Sequence, residues 1–219
     1  MIRIDLLYVR RSFINEWAHS REVKLARMVV IEIILTVLAA DFISGFFHWV
    51  EDAYGDERWP ITGRWITRPN TLHHHKPRYF TKHSWFYSSW LLLCIGTLVL
   101  VVAGLSGFLT WHVWLFVALG SNANQIHKWA HRSAIENGRL ITWLQCVRLL
   151  QTPRHHAGHH SDPKNSHYCV LTNFLNPLLD AIRFWDFLET TIWIVFHLRR
   201  RIDTSINAAW KKTESSGHG

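Results

Sequence analysis

Apolar residues along the chain fall into long blocks, and the longest block carries no formal charge. Ser84 to Ile126 holds no Asp, Glu, Lys or Arg over 43 residues, with Gly104 and Gly107 near its middle. A helix rises about 1.5 Å per residue and the hydrocarbon core of a bilayer is about 30 Å thick, so this block has room for two spans. The pattern predicts a transmembrane hairpin that turns at residues 104–107.

A second apolar block, Met28 to Val50, is also long enough to cross a bilayer. It contains Glu32 and Asp41, so it cannot face lipid on all sides. Ionisable groups at membrane depth normally face a protein interior and mark a functional site. Spacings of four, three and four place a polar set on one helical face, and we expect that face to look into the site: Asp41, Gly45, His48 and Asp52.

The chain ends differ from the apolar blocks in composition. Residues 1–27 are basic and weakly amphipathic, which predicts a segment on a membrane surface. The apolar stretch 176–198 also contains four charged residues, which favours an interfacial helix over a true span. Residues 199–219 are basic and predicted to be disordered. The expected organisation is a surface segment (1–27), a membrane domain (28–198) and a tail (199–219), with three to four membrane helices in an all-α fold.

Composition supports a membrane protein and excludes several other classes. Charged residues make up 18% of the chain, against about 25% in soluble domains. The net charge of +8 is spread between apolar blocks, which indicates membrane flanks and not a nucleic-acid surface. The three cysteines stand singly, which argues against a zinc finger or a disulfide scaffold. Thirteen of the 24 Lys and Arg residues lie in the two His-bearing segments, so the histidines are expected on the cytoplasmic face of an integral membrane protein.

Histidine is concentrated in four short clusters at the ends of the apolar blocks. Helical spacings of three and four recur within them, and the predicted topology brings all four to one membrane face. The clusters are FHWVED (47–52), TLHHHKP (71–77), NQIHKWAH (124–131) and RHHAGHH (154–160).

So many imidazoles exceed the needs of one zinc ion, which takes four ligands at most. Neutral imidazole suits Fe, Zn, Cu or Ni, and the number available favours two metal ions at one face. Soluble di-iron bundles use paired ExxH motifs, whereas this chain has one, Glu16 to His19, and it has no HExxH. Removal of hydrogen from an unactivated CH₂ needs a cofactor, so a metal site beside lipid indicates oxidation chemistry.

The chain resembles the plasmanylethanolamine desaturase family, also called Kua-domain proteins, which is related to plastid desaturases that act on the palmitoyl chain of phosphatidylglycerol. The resemblance covers about residues 38 to 190. It rests on Asp41 with Gly45, Phe46, Phe47, His48, Trp49, Asp52 and Gly55; His73, His74 and Pro77; Gln125, His127, Trp129 and His131; His156, His159 and His160; and Tyr168, Cys169 and Asn176.

The resemblance implies a di-iron, O₂-dependent lipid desaturase with two Fe ions. It implies a phospholipid substrate, electrons from a small protein of the cytochrome b5 or ferredoxin kind, and no nucleic-acid partner. Its plasmanyl branch converts an alkyl ether to the vinyl ether of a plasmalogen, by dehydrogenating the first two carbons of the chain. The location would be the bacterial plasma or inner membrane, or the endoplasmic reticulum of a eukaryote. The implied metal ligands are His48, His73, His74, His127, His131, His156, His159 and His160.

Alternatives to that interpretation remain open on the sequence. The same ligand set suits an acyl phospholipid desaturase or a lipid hydroxylase, and a His-rich metal transporter is a further hypothesis. Residues expected beside the ligands, or as further ligands, are Asp52, His155, His83, Asn124 and Asp41. Basic residues that either meet a phospholipid phosphate or follow the positive-inside bias are Arg64, Arg68, Arg154 and Lys164.

Overall fold

The computed structural model describes residues 6–161 and 163–201, with side chains from Arg21 onward. These residues form helices and no β-strand, which confirms the all-α prediction. One turn of π-helix, Gly63–Thr67, precedes the second α-helix. The helices are α1 (Leu6–Tyr54), α2 (Arg68–His75), α3 (Pro77–Phe80), α4 (Trp85–Leu105), α5 (Trp111–Ser121), α6 (Ala123–Ala130), α7 (Ala134–Cys146), α8 (Pro153–His159), α9 (Leu175–Ala181) and α10 (Phe184–Phe196).

Helix α1 changes character along its length. The 49-residue helix continues through the predicted boundary at residues 27 and 28. In its middle, Ile31 and Leu35 are 55% and 60% exposed, so apolar side chains there are left without protein cover. An exposed apolar surface of this kind is typical of contact with a membrane. Nearer its C-terminus, Asp41, His48 and Asp52 are buried, which confirms that the predicted polar face turns inward.

Two helices have the length and apolar composition of membrane spans: α1, over Arg21–Tyr54, and α4. The second arm of the predicted hairpin differs from the expectation. Helix α5 has 11 residues, so it is about 16 Å long, well short of the roughly 30 Å that a span needs. The hairpin turn itself lies where it was predicted, since α4 ends at Leu105 and Gly107 adopts a positive φ of 74°.

Asn122 divides the second arm of the hairpin. Its φ of −100° and ψ of 4° end α5, and α6 begins one residue later. The side chain fixes this break, because its amide nitrogen donates to the Ala118 carbonyl at 2.9 Å and its oxygen accepts from Trp85 Nε1 at 2.9 Å. A separate short helix therefore carries His127, in place of a continuous span to Ile126.

The apolar stretch 176–198 is likewise divided. Arg183, in the left-handed region at φ 54°, separates α9 from α10. The 13 residues of α10 extend about 20 Å, which is too short for a span, as its charges predicted. Trp185 is buried against α1, whereas Phe187 and Ile194 are exposed.

A buried non-helical segment, residues 168–172, runs beside α1 and joins the two hydrophobic clusters of the core. Tyr168 and Cys169 pack with Trp49, Trp185 and other residues, while Val170 and Leu171 pack in a second cluster with Ala40, Ala123 and Ile126. Gly45 permits this approach, since a Cβ there would stand 2.6 Å from Cys169 Sγ and 2.9 Å from its backbone nitrogen. We call this part of the chain the 168–172 segment.

Candidate metal centre

Nine potential metal ligands lie together in two groups, each with its ligand atoms within 4.8 Å of one another. They comprise all eight predicted histidines and one carboxylate. The five-histidine group contains His73, His127, His131, His156 and His160. The carboxylate group contains His48, Asp52, His74 and His159.

Helical spacing explains how four short segments supply both groups. His156 of α8 and His160, the residue that follows this helix, are one turn apart and share the five-histidine group, whereas His159 points into the other group. Adjacent residues of a helix point about 100° apart, and His73 and His74 on α2 accordingly divide between the groups. Thus α2 and α8 bridge the two groups, while α6 serves only the first and α1 only the second.

Distances in the five-histidine group match those between ligands of one ion. The Nε2 atoms of His127 and His156 are 2.8 Å apart, those of His156 and His160 3.1 Å, and those of His127 and His131 3.3 Å. Bonds of about 2.1 Å that meet at right angles separate ligand nitrogens by roughly 3 Å. The nitrogens therefore already have the spacing that a shared metal ion requires.

Asp52 lies at the centre of the carboxylate group. Its Oδ1 is 2.9 Å from His74 Nε2, and its Oδ2 is 3.3 Å from His159 Nε2 and 4.0 Å from His48 Nε2. The side chain of Asn70 donates to Oδ1 at 2.5 Å. Asp52 is thus placed among the candidate ligands, and not only behind them as an orienting residue.

Backbone carbonyls orient two imidazoles of the carboxylate group. His48 Nδ1 donates to the Tyr168 carbonyl at 3.1 Å, and His159 Nδ1 donates to the Ser166 carbonyl at 2.9 Å. Each ring then presents an Nε2 lone pair, as a metal ligand must. His48 Nε2, His159 Nε2 and Asp52 Oδ2 are buried and have no hydrogen-bond partner in the described chain. Buried polar atoms normally have one, so these atoms fit a bound metal ion.

Burial keeps the imidazoles of the five-histidine group neutral. It lowers the pKa of His73, His127 and His156 well below the ordinary range, and nearby imidazoles lower it further. Burial and the neighbouring His159 and His74 likewise lower the pKa of His131 to about 3. Neutral rings carry the free lone pairs that bind a metal, so charge and geometry agree.

A family model for the lipid desaturase domain matches residues 37–203. This chain belongs to that family. The match includes every residue of both ligand groups. Membership and the two apolar helices together indicate a membrane protein.

The named relatives of this chain carry two kinds of name, plasmanylethanolamine desaturase and fatty acid desaturase. Plasmanylethanolamine desaturase of Myxococcus xanthus is 33% identical over 186 residues, or 81% of this chain and 65% of the relative. Plasmanylethanolamine desaturase 1 of Mus musculus is 31% identical, over 84% of this chain and 70% of the relative. Chloroplastic fatty acid desaturase 4 of Arabidopsis thaliana is 30% identical, over 83% and 57%. This chain thus spans less than two thirds of the Myxococcus and Arabidopsis proteins. No solved structure matches it.

Four residues predicted near the ligands lie outside both groups. Asp41 binds the 168–172 segment: its carboxylate accepts from the backbone nitrogens of Leu171 at 2.9 Å and Thr172 at 3.2 Å. Asn124 donates to the Ser88 carbonyl at 2.6 Å, so its amide nitrogen ties α6 to α4. The other two make contacts of their own, with His155 Nε2 3.1 Å from Asn176 Nδ2 and His83 stacked on Tyr87 at 4.5 Å.

The four basic residues predicted to contact a lipid headgroup differ in their exposure. Arg64, Arg68 and Arg154 are exposed, so they remain candidates for headgroup contact. Lys164 is 1% exposed, with its ammonium 3.4 Å from the His74 carbonyl, so burial removes it from the candidates.

Arg200 helps to hold the residues around the metal site in place, although the sequence pattern assigned it to the C-terminal tail. Its guanidinium donates to the Tyr168 hydroxyl at 2.6 Å, to Glu189 Oε1 at 2.6 Å and to the Lys164 carbonyl at 2.7 Å. Glu189 also accepts from Trp49 Nε1 at 3.1 Å. The network braces Tyr168, whose carbonyl orients His48. No spacing in the sequence indicated it, and the rest of the predicted tail, 202–219, lies outside the described residues.

Proposed function

We propose that this chain is a membrane-bound di-iron, O₂-dependent desaturase of lipid-linked chains. The observation that best supports this proposal is the pair of ligand groups, with neutral imidazoles in the five-histidine group and buried, unpartnered Nε2 and Oδ2 atoms in the carboxylate group. Two bound iron ions would supply the oxidising chemistry that no side chain has. A set of eight imidazoles with one carboxylate agrees with this, because imidazole is a suitable ligand for iron.

Electron balance defines the partners of such a reaction. One hydrogen leaves each of two neighbouring carbons, which breaks two C–H bonds and forms a C=C bond. One O₂ takes four electrons and four protons to become two waters: two of each come from the lipid chain and two from outside. We propose that a small electron-transfer protein delivers the outside electrons, one at a time.

The chain's own residues have three tasks in this proposal. The nine ligand residues hold the metal ions, and the Asp52 carboxylate offsets positive charge in the carboxylate group. The Tyr168 and Ser166 carbonyls keep two imidazoles in the binding tautomer. Seven of the nine ligand residues are buried, which limits the access of bulk water and protects an oxidising site from side reactions.

We propose an alkyl ether phospholipid as the substrate, with a vinyl ether as the product. Two relatives bear the name plasmanylethanolamine desaturase, at 33% and 31% identity. The chloroplastic fatty acid desaturase relative, at 30%, supports an acyl chain as the second candidate.

The test compares the protein with two variants in cells supplied with alkyl ether phospholipids. His156→Ala removes a buried member of the five-histidine group, and His75→Ala removes an exposed histidine that belongs to neither group. We expect wild type and His75→Ala to hold iron and to yield lipids lighter by two hydrogens with acid-labile vinyl ethers. His156→Ala should yield none.

Lipid masses separate the alternatives. A product heavier by one oxygen would indicate a hydroxylase, and unsaturation in acyl chains alone would indicate the acyl substrate. Purified protein with zinc and little iron, or unchanged lipids in every strain, would refute the proposal.

A further inference from the structure

Three basic side chains line an open cleft on the side of the five-histidine group. The cleft has a volume of about 440 Å³ and is lined by Arg78, Thr81, Lys82, Arg132 and Glu136. It lies between the α3 region and the residues that connect α6 to α7. None of the cations predicted from the sequence to meet a headgroup is among these residues.

The cleft adjoins the candidate metal centre. Arg132 directly follows His131, and Thr81 follows Phe80. The Phe80 ring is 5.2 Å from the His73 ring and 5.3 Å from the His127 ring, centroid to centroid. Two residues that line the cleft therefore directly follow residues that belong to the five-histidine group or contact it.

Positive charge in the cleft exceeds negative charge. Arg78 forms an ion pair with Glu136 at 2.6 Å, which satisfies the one carboxylate. Arg132 donates one N–H to the Thr81 carbonyl at 2.7 Å, a contact that holds the guanidinium in place without cancelling its charge. Lys82 is exposed and has no ion pair within the described chain. Two uncompensated cations thus face one concave surface, an arrangement that suits a phosphate.

The cleft also lies at the depth of lipid headgroups. Lys82 precedes the membrane-spanning helix α4 by three residues. That helix begins with three exposed aromatic residues, Trp85, Phe86 and Tyr87. Aromatic residues at the end of a span are typical of the boundary between headgroups and hydrocarbon.

We propose that Lys82 and Arg132 bind the phosphodiester of the phospholipid substrate. The assignment rests on the proposed function, because it takes the bound lipid to be the molecule that is oxidised. In a glycerophospholipid, only a few covalent bonds separate the phosphate from the first carbons of a hydrocarbon chain. A phosphate site beside the five-histidine group consequently directs oxidation to the head end of the chain, where the vinyl ether of a plasmalogen lies. The concave shape and the aromatic boundary favour a lipid over the flat face of a redox protein.

The experiment measures binding of short-chain phosphatidylethanolamine, below its micelle concentration, to the full chain in detergent. Calorimetry without added iron keeps this readout independent of catalysis. Lys82→Gln should weaken binding about tenfold, the loss expected for one charge-assisted hydrogen bond. Arg132→Lys keeps the charge but loses the guanidinium geometry, so it should also weaken binding. Lys76→Gln removes an exposed lysine outside the cleft and should bind as wild type does.

Several outcomes would overturn the assignment. Short-chain diacylglycerol lacks phosphate, so it should bind wild type and Lys82→Gln equally well. Tighter binding of diacylglycerol to wild type would mean that Lys82 does not act on the phosphate. Inorganic phosphate that binds as tightly as the lipid would indicate a free-phosphate site. If Lys82→Gln binds the lipid normally but binds an acidic cytochrome b5 more weakly, the cleft is a partner site. Iron content and lipid products, measured on the same variants, test the proposed function separately.

Discussion

Replacing Asp52 by asparagine should empty one ligand group and leave the other loaded. The substitution keeps the size of the side chain and removes its charge. Asn70 Nδ2 donates to Asp52 Oδ1, so an amide at position 52 must keep its oxygen there. Its NH₂ group then takes the place of Oδ2, 3.3 Å from His159 Nε2.

That geometry removes two ligands with one change. His159 Nδ1 donates to the Ser166 carbonyl, so the lone pair of that ring is on Nε2. An amide N–H opposite this lone pair would hydrogen-bond to it and compete with a metal ion. Loss of a single orienting carboxylate costs 10- to 100-fold in metal affinity, about 1.4 to 2.8 kcal/mol. Losing a carboxylate ligand and blocking an imidazole should reach at least the upper end of that range.

The assay is anaerobic titration with Fe(II), followed by metal analysis of the washed protein. We expect about two ions per chain in wild type and about one in Asp52→Asn. Asp56→Asn is a matched control, because Asp56 lies outside both ligand groups and its carboxylate forms an ion pair with the exposed Arg58. If Asp52→Asn retains both ions with unchanged affinity, Asp52 is not a ligand and the assignment of the carboxylate group is wrong.

Two further predictions concern stability. Gly45→Ala should lower the free energy of unfolding by about 1–3 kcal/mol, because its Cβ would overlap the Cys169 backbone. Gly104→Ala is the control: its Cβ would meet only Leu109 at 3.9 Å, so its melting temperature should equal that of wild type. Metal-free protein should lose stability as the pH falls below about 6.5, the pKa of histidine in an unfolded chain. In the folded protein, burial lowers the pKa of His73 and brings the pKa of His131 to about 3. Between these pH values the unfolded chain binds more protons than the folded protein, so acid favours unfolding. At about pH 5.5, each such histidine should lower the free energy of unfolding by about 1.4 kcal/mol. A melting temperature that stays constant from about pH 7.5 to 5.5 would contradict this expectation.

The histidine clusters could be predicted because their spacing is local. Positions three or four apart share a helical face, which pairs His127 with His131 and His156 with His160. Which clusters share a metal ion is a long-range property. The sequence alone does not show that His73 and His74 serve different groups, because that depends on how α2 packs against α1 and α6.

The two buried aspartates of α1 show the same limit. Asp41 and Asp52 lie on one helical face, three turns apart, and both were expected beside the ligands. Their roles follow from what packs opposite each carboxylate. The backbone nitrogens of Leu171 and Thr172 face Asp41, whereas imidazoles face Asp52. A carboxylate binds whichever donors the fold supplies, so its position on the helix predicts burial and not function.

The 168–172 segment connects these observations. Asp41 holds its C-terminal end, and Gly45 admits Cys169 one helical turn further along α1. One turn further still, the Tyr168 carbonyl accepts from His48. Because the spacing of these three α1 residues sets the register of the segment, the docking that forms the core also fixes the tautomer of a metal ligand. A glycine and an aspartate that touch no metal are therefore as necessary to the site as the histidine they precede.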